Sequence, residues 1–235
     1  MTYDVVKEKP DRLSLLFHGY TDRPVEVAVR QFNFVLLPNV YHPASMVTTV
    51  TMDSIREVAG KTVLDLGCGC GALAVAALYR GARHVVAADI SAEAVKNTRE
   101  NLKFHRLADR ATVVRSDLFN KLGNQRFDRI LFNSPFLFTE SEIDQIPVET
   151  TAALKRTMFD PGYRVCSRFY GEVRDHLRPR GYVQFASNSM ANTPKLDEIL
   201  KANGLRKSVF HKVPGQPGVL ASSIDWFVYR VERDS

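Results

Sequence analysis

Three aspartates, a run of alternating glycines and an asparagine just ahead of a proline are the residues whose types and spacing could do chemistry. The segment Asp65-Leu-Gly67-Cys-Gly69-Cys-Gly71 sits between a short apolar run and an alanine-rich one. Glycine at alternate positions permits a tight turn and lets a ligand approach the backbone without meeting a Cβ. A dinucleotide loop spaces its glycines G-x-G-x-x-G and brings a pyrophosphate to a helix N-terminus. The G-x-G-x-G spacing here, behind an acid, better suits a cationic ligand without phosphate, with Asp65 placed to hold an ammonium directly or through water. Ala87-Ala-Asp89-Ile90 closes the next apolar run, where a carboxylate can accept both hydroxyls of a ribose. Arg115-Ser-Asp117-Leu118-Phe119 closes the third, where Asp117 can accept from an adenine amine while Leu118 covers the ring. Each acid alone is as well explained as a turn or helix cap. Three in order at successive strand ends point instead to one ligand. The fourth run ends in Leu131-Phe-Asn133-Ser134-Pro135-Phe136. Asn133 and the backbone carbonyl of Ser134 can together accept two hydrogen bonds from one amine. Pro135 fixes the turn, and Phe136 offers a face to a cation. Standing alone, that segment would be a strand-ending turn.

The elements that must position these residues alternate from about residue 60 onward. Strands are expected over Lys61–Leu66, Arg83–Ile90, Ala111–Arg115, Phe127–Phe132 and Gly181–Ser187. Helices are expected over Gly71–Arg80, from Ser91 to about Arg106, over Arg164–Leu177 and over Thr193–Ala202. Arg206–Val213 and Ile224–Val231 close the chain as strands. The link between them, Pro214-Gly-Gln-Pro-Gly218, leaves no room for a crossover helix, so this last pair is expected to be antiparallel. The pattern predicts a Rossmann-like, doubly wound α/β fold: seven strands, mostly parallel, with an antiparallel C-terminal pair. Ligands of such sheets bind beyond the carboxyl ends of the strands, where the strand order reverses. Residues 61–235 are expected to form this domain. Residues 1–60 differ, with alternating, aromatic-rich segments (Val25–Arg30 and Phe32–Leu37), then Pro38-Asn-Val-Tyr-His-Pro43 and a helix from about Ser45 to Val58. They are expected to be a lid and entry helix.

Composition narrows the class. At 235 residues, 45% hydrophobic and 25% charged, the chain has the makings of a folded domain. No stretch approaches the roughly 20 apolar residues of a membrane span, and the N-terminus lacks the layout of a signal peptide. A cytoplasmic protein without a membrane partner is the expectation. The net charge of +6 is scattered and forms no basic block, which disfavours a nucleic-acid partner. Cys68 and Cys70 stand too close for a C-x-x-C ligand pair, Cys166 is remote, and no second Cys/His pair completes a metal site. His18, His42, His105 and His211 are expected to be packing or surface residues.

Val63–Gly71, Ala87–Ile90, Ser116–Phe119 and Asn133–Phe136 together resemble the ordered motifs of class I S-adenosylmethionine (SAM)-dependent methyltransferases. More narrowly, they resemble the amine-methylating branch whose motif is Asn-Pro-Pro-Tyr or Phe, which includes release-factor glutamine methyltransferases and small-domain ribosomal RNA guanine methyltransferases. Val40-Tyr-His-Pro43 is similar to the Val-Tyr-x-Pro stretch that lies beside the cofactor in that branch. The resemblance runs over about residues 36–190. It implies that Tyr41, Asp65, Gly67, Cys68 and Gly69 lie against the methionine end of SAM. Asp89 with Ile90 would then bind the ribose, and Asp117 with Leu118 the adenine. Asn133 and the carbonyl of Ser134 would orient an attacking nitrogen, with Asn133 also bordering the cofactor. Pro135 and Phe136 would line the acceptor pocket; apart from the resemblance, Ser187 and Ser189 leave the fifth strand at its carboxyl end and are expected either to line the same cavity or to cap a helix.

Two departures shape the expected chemistry. Ser134 replaces the usual proline, which leaves the backbone there less constrained. The residues ahead of Val40 look sheet-like and apolar, unlike the helical domain with which release-factor methylases grip their protein. A small pocket with a small-molecule acceptor, closed by an aromatic lid, is therefore expected. A nitrogen of that acceptor would attack the SAM methyl, the rate coming from alignment and desolvation. An alternative is that SAM is the sole substrate. Its α-amine would attack its own γ-carbon, as in the SAM-cyclising azetidine-2-carboxylate synthases of the same fold. Tyr170 is the candidate aromatic face for the sulfonium in that reaction. An RNA N-methyltransferase and an inactive SAM-binding module are the remaining readings. The oligomeric state is left open.

Overall fold

The computed structural model describes residues 6–7, 23–135, 160–189, 191, 193–215 and 225–234. A two-residue strand β1 (Val6–Lys7) pairs with a hairpin of β2 (Val25–Val29) and β3 (Phe32–Leu36). Helix α1 (Met46–Ser54) follows, its first turn capped by the Ser45 hydroxyl. Then come β4 (Thr62–Leu66), α2 (Ala72–Tyr79), β5 (His84–Asp89), α3 (Ala92–Phe104), β6 (Ala111–Arg115) and β7 (Phe127–Phe132). After the undescribed stretch lie α4 (Arg164–Glu172), β8 (Leu177–Asn188), α5 (Thr193–Ala202), β9 (Leu205–Val213) and β10 (Trp226–Arg233).

Seven strands form one sheet in the order β6-β5-β4-β7-β8-β10-β9. The first five pair in parallel, and β10 runs antiparallel to both of its neighbours. This is the mostly parallel α/β sheet that the alternating pattern predicts. The order reverses between β4 and β7, and a crevice opens there beyond the strand ends. From Ala72 to Leu78 every residue of α2 is buried, and its alanines let the helix lie close on the sheet. Among the described residues, no helix is long and apolar enough to cross a membrane.

Two boundaries differ from expectation for a local reason. Helix α4 stops at Glu172 and gives way to a 3-10 turn, and β8 begins at Leu177. The pairing of β8 with β7 is broken between Leu177 and Tyr182, where Pro179 and a left-handed Arg180 form an irregularity inside the strand. Proline lacks the ladder N–H and is tolerated at such a bulge. A Cβ on Gly181 would meet two carbonyl oxygens at 2.9 Å, so the chain can pass there only as glycine.

The hairpin does not cover the pocket as a lid. It buries Val25, Val27, Val29, Phe32, Phe34 and Leu36 in the core cluster that also holds α2. Buried amides of α3 fasten its outer strand: Asn101 accepts from the Val35 N–H at 2.8 Å and Asn97 from the Leu37 N–H at 3.0 Å. Asn97 and Asn101 also both donate to the Val35 carbonyl. The alternating aromatic pattern marks a core-facing β ribbon. Among the described residues ahead of α1, the stretch from Asn39 on is the part that reaches the crevice.

Candidate functional site

A cavity of about 460 Å³ opens at the reversal point, walled by the ends of β4, β5, β6 and β7 and by residues 39–48. Its floor is the glycine turn. Gly67, Gly69 and Gly71 all have left-handed backbones, with φ of 71°, 54° and 88°. They serve different ends. A Cβ on Gly69 would meet nothing within 4 Å, and one on Gly67 only the Phe132 ring at 3.9 Å, so both leave open space on the ligand side. A Cβ on Gly71 would press on the Thr98 backbone of α3 at 3.3 Å, so this glycine lets two helices meet.

Asp65 lies at this floor and is buried. Its Oδ2 accepts from the Ala74 N–H at 2.9 Å, while Oδ1 has no hydrogen-bond partner among the described residues. Burial pushes the carboxyl up to about 7, the Ala74 N–H opposes this, and the charge of Asp89 adds to it. A buried carboxylate oxygen without a donor, beside glycines with open space above them, fits the cationic end of SAM. Asp89 is satisfied by backbone, with Oδ2 accepting from Gly69 N–H at 3.0 Å and Oδ1 from Ser91 N–H at 2.9 Å. Each oxygen keeps a lone pair for a ribose hydroxyl. Burial raises its pKa, and the N–H donors of Ser91, Gly69 and Ile90 pull it back. Ile90 is exposed at the cavity edge.

Asp117 and Leu118 also line the cavity, Leu118 with a left-handed backbone. Asp117 is not free, because both its oxygens accept from the Arg168 guanidinium of α4, at 3.2 and 3.0 Å. An adenine amine there must share the carboxylate with Arg168, a partner 51 residues away that spacing could not reveal. Cys68 lines the wall and takes a hydrogen bond from Thr98 at 3.2 Å. Burial pushes its thiol well up, and that of Cys70 to about 12, so both stay protonated and unreactive.

On the opposite wall stand Asn133, Ser134 and Pro135. The Asn133 Nδ2 donates to Thr48 Oγ1 at 3.2 Å, and its Oδ1 accepts from Thr51 Oγ1 at 2.8 Å. Ser134 Oγ donates to the Pro135 carbonyl at 3.1 Å. Tyr41 lines the cavity beside them, its phenol pushed up by burial. Phe136, His18 and residues 216–218 of the Pro214–Gly218 link lie outside the described residues. Thr48, Thr51 and Arg168 are absent from the expected set. The first two had a visible signal, since Ser45, Thr48, Thr51 and Ser54 recur every third residue along the entry helix.

Three expected residues stand elsewhere. Tyr170 is wholly buried under α4, its ring 4.8 Å from Phe169 and 5.8 Å from Phe185, and it lines no part of the cavity. It shares the inward helix face with Cys166 and Phe169, which is core spacing. Ser187 is buried within β8 opposite Phe227, and Ser189 exchanges hydrogen bonds with the Asp225 backbone, so both tie β8 to β10. Neither borders the cavity. Among the described residues no group of three or more His, Cys, Asp or Glu could hold a metal ion.

Compared with known proteins, residues 32–162 match the family model described as the methyltransferase small domain. A provisionally named protein N5-glutamine methyltransferase of Methanocaldococcus jannaschii is 30% identical over 186 residues, 78% of this chain and 89% of that protein. The release factor glutamine methyltransferase of Rhodopirellula baltica is 36% identical over 163 residues, 62% of this chain and 55% of that protein. Among solved structures, the 16S rRNA N2 G1207 methyltransferase of T. thermophilus, in complex with AdoMet and guanosine, has a TM-score of 0.62 at 21% identity. That alignment covers 91% of this chain and 50% of that one, and it shows a shared fold. These findings overturn the expectation of a small-molecule acceptor, or of SAM alone, with nucleic acid set aside. The proteins this chain resembles are named for protein or RNA substrates.

Proposed function

Because the chain belongs to the methyltransferase small domain family, we propose that it transfers the methyl group of SAM to the side-chain amide nitrogen of a glutamine in a protein. Its dependence on SAM follows from the family. The glutamine acceptor is our reading, supported by the relatives named for that reaction. The observation that carries it is the Asn133 amide, held against the cavity wall where the strand order reverses and followed by Ser134 and Pro135.

Bound in this cavity, SAM supplies an electrophilic methyl on a sulfonium. In this reading Asp65 faces the amino-acid end, Asp89 takes the ribose hydroxyls, and Asp117 with Leu118 borders the adenine. The glycine turn lets that ligand lie against the backbone. An amide nitrogen is a poor nucleophile because its lone pair is delocalised. Asn133 Oδ1 and the Ser134 carbonyl, accepting its two N–H bonds, draw electron density back to nitrogen and aim its lone pair. As the new C–N bond forms, the S–CH3 bond breaks and S-adenosylhomocysteine leaves as a neutral thioether, while the nitrogen sheds its gained charge by passing one N–H proton to water. Alignment in a water-poor cavity supplies most of the rate, and no strong base is required.

The test is incubation with methyl-labelled SAM, with and without a translation release factor, followed by peptide mass spectrometry. Label on a glutamine of the protein supports the proposal. Label on added ribosomal RNA instead, or methylthioadenosine formed from SAM alone, overturns it. The second outcome would mean cyclisation, and no aromatic face from Tyr170 reaches the cavity to steady it.

A further inference from the structure

Helix α1 carries an unusual buried stripe. Ser45 at its cap, then Thr48, Thr51 and Ser54, recur at three-residue spacing, so each neighbours the next in a row that winds about half-way around the helix. All four are buried. Buried hydroxyls destabilise a fold unless each is hydrogen-bonded, so a helix needed only for packing would carry apolar residues there. Every member of the stripe is engaged. Ser45 Oγ donates to Thr48 Oγ1 at 2.9 Å, and Ser54 Oγ donates to the Thr51 carbonyl at 2.9 Å. Gln184, buried on β8, donates to the same Thr51 carbonyl at 3.1 Å and to Ser54 Oγ at 2.7 Å. The stripe therefore joins α1 to β8 at one end and to the end of β7 at the other.

At the β7 end its target is Asn133. The terminal torsion of an asparagine is broad and two-fold, so an unsupported amide would sweep through many planes. Here one hydroxyl holds each end of the amide: Thr48 Oγ1 lies 3.2 Å from Nδ2, and Thr51 Oγ1 lies 2.8 Å from Oδ1. Two bonds at opposite ends define a plane. Thr51 Oγ1 has one proton and two acceptors within reach, Asn133 Oδ1 at 2.8 Å and, at 2.6 Å, the Val47 carbonyl that anchors the hydroxyl to its own helix. What the amide has left, one lone pair and one N–H, is available to the cavity.

We propose that Thr48 and Thr51 are positioning residues that fix the plane of the Asn133 amide and thereby aim the acceptor nitrogen. This rests on the reading of Asn133 given above. It makes the entry helix part of the catalytic geometry as well as a wall.

The test compares Thr48→Val and Thr51→Val, singly and together, with Thr48→Ser and Thr51→Ser, which restore a hydroxyl. Methyl transfer to the release factor gives kcat and KM for SAM, calorimetry gives the affinity for S-adenosylhomocysteine, and thermal melts report folding. NMR follows hydrogen exchange at the Asn133 side-chain amide, whose signal is identified by its loss in Asn133→Asp. The double valine variant should lose roughly tenfold to a hundredfold in kcat. KM for SAM and the affinity for S-adenosylhomocysteine should stay within about twofold, and the serine variants should recover most of kcat. Exchange at the Asn133 amide should accelerate in the valine variants alone. A double variant with wild-type kcat and an unmoved Asn133 signal overturns the proposal. Should that variant fail to fold, Thr48→Val alone carries the same test. If the wild-type enzyme methylates no release factor, the glutamine reading fails, and amide exchange still decides the positioning role on its own.

Discussion

Where β4, β5 and β6 end, the cavity is shaped by the backbone and by acids within two residues of their strand ends. Where β7 ends, it is shaped by one side chain held from a helix more than 80 residues earlier in the chain. On the first side Gly69 donates to Asp89, Ala74 to Asp65 and Ser91 to Asp89, all within or between neighbouring strand–helix turns. On the second, Asn133 depends on Thr48 and Thr51. In the proposed reading, the cofactor side is set mainly by local turn chemistry, with the Arg168 pair at Asp117 as its long-range exception, whereas the acceptor side is set by how α1 docks. Damage to the first side should appear as lost affinity for SAM, and damage to the second as lost turnover at preserved affinity.

The sharpest break in that comparison is Asn133→Ala. It should lower methyl transfer by at least about a hundredfold, since misplacing a reacting group by an ångström already costs that much. Affinity for S-adenosylhomocysteine, measured by calorimetry, should change by no more than about threefold. Normal turnover in this variant would remove Asn133 from the acceptor side altogether.

That the glycine turn and the three strand-end acids wall one cavity was legible in the sequence because these parts are contiguous. A glycine turn and an acid at each strand end are written in adjacent letters, and the alternating pattern predicted the seven-stranded sheet around them. Long-range partners carry no such mark. Arg168 on α4 reaches Asp117 from 51 residues further along the chain, and nothing near either residue announces the other. The aromatic alternation of residues 25–36 suggested a cover over the pocket. It is equally the pattern of a ribbon with one buried face, and only the Asn97 and Asn101 contacts show which. The hydroxyl stripe of α1 was visible as spacing, but its meaning needed Asn133 and Gln184 beside it.

The glycines separate affinity from stability within a single turn. Gly69→Ala places a methyl in open space at a left-handed backbone, so its strain, roughly 1–2 kcal/mol, should come with weaker SAM binding by titration. Gly71→Ala meets Thr98, so its larger effect should be a lower unfolding midpoint in denaturant. Equal loss of affinity in both variants would mean that the turn acts as one rigid unit.

A pH series sharpens the role of Asp65. Its carboxyl, at about 7 in the ligand-free protein, is protonated in mild acid, and a cationic ligand favours the carboxylate. SAM affinity should therefore rise as pH increases through 7 and level off above it. Stability of the ligand-free protein should run the other way. The folded pKa lies above the unfolded value of 3.8, so this group's contribution is full below that value and is lost as pH rises to about 7. Asp65→Asn should flatten both dependences and weaken SAM by roughly tenfold to a hundredfold, as expected for a lost charge-assisted contact. Comparing SAM with S-adenosylhomocysteine locates the contact. Equal losses place Asp65 at the ammonium, and a loss confined to SAM places it at the sulfonium.

The smallest expected effect concerns a residue on neither side. The Tyr170 hydroxyl is buried without a hydrogen-bond partner among the described residues, and burial holds its pKa well above the usual phenol range. An unpaired buried hydroxyl destabilises, so Tyr170→Phe should leave activity unchanged and raise stability by up to about 1 kcal/mol in denaturant melts. Phenylalanine keeps the ring, and with it any stabilisation of a sulfonium. Tyr170→Leu removes the aromatic face while still filling much of the core between Phe169 and Phe185. That variant should lose stability through imperfect packing, yet keep kcat and SAM affinity per folded molecule. A selective fall in turnover with leucine but not phenylalanine would put an aromatic face back in contact with the sulfonium. The boundary drawn here between core and cavity at α4 would then have to move.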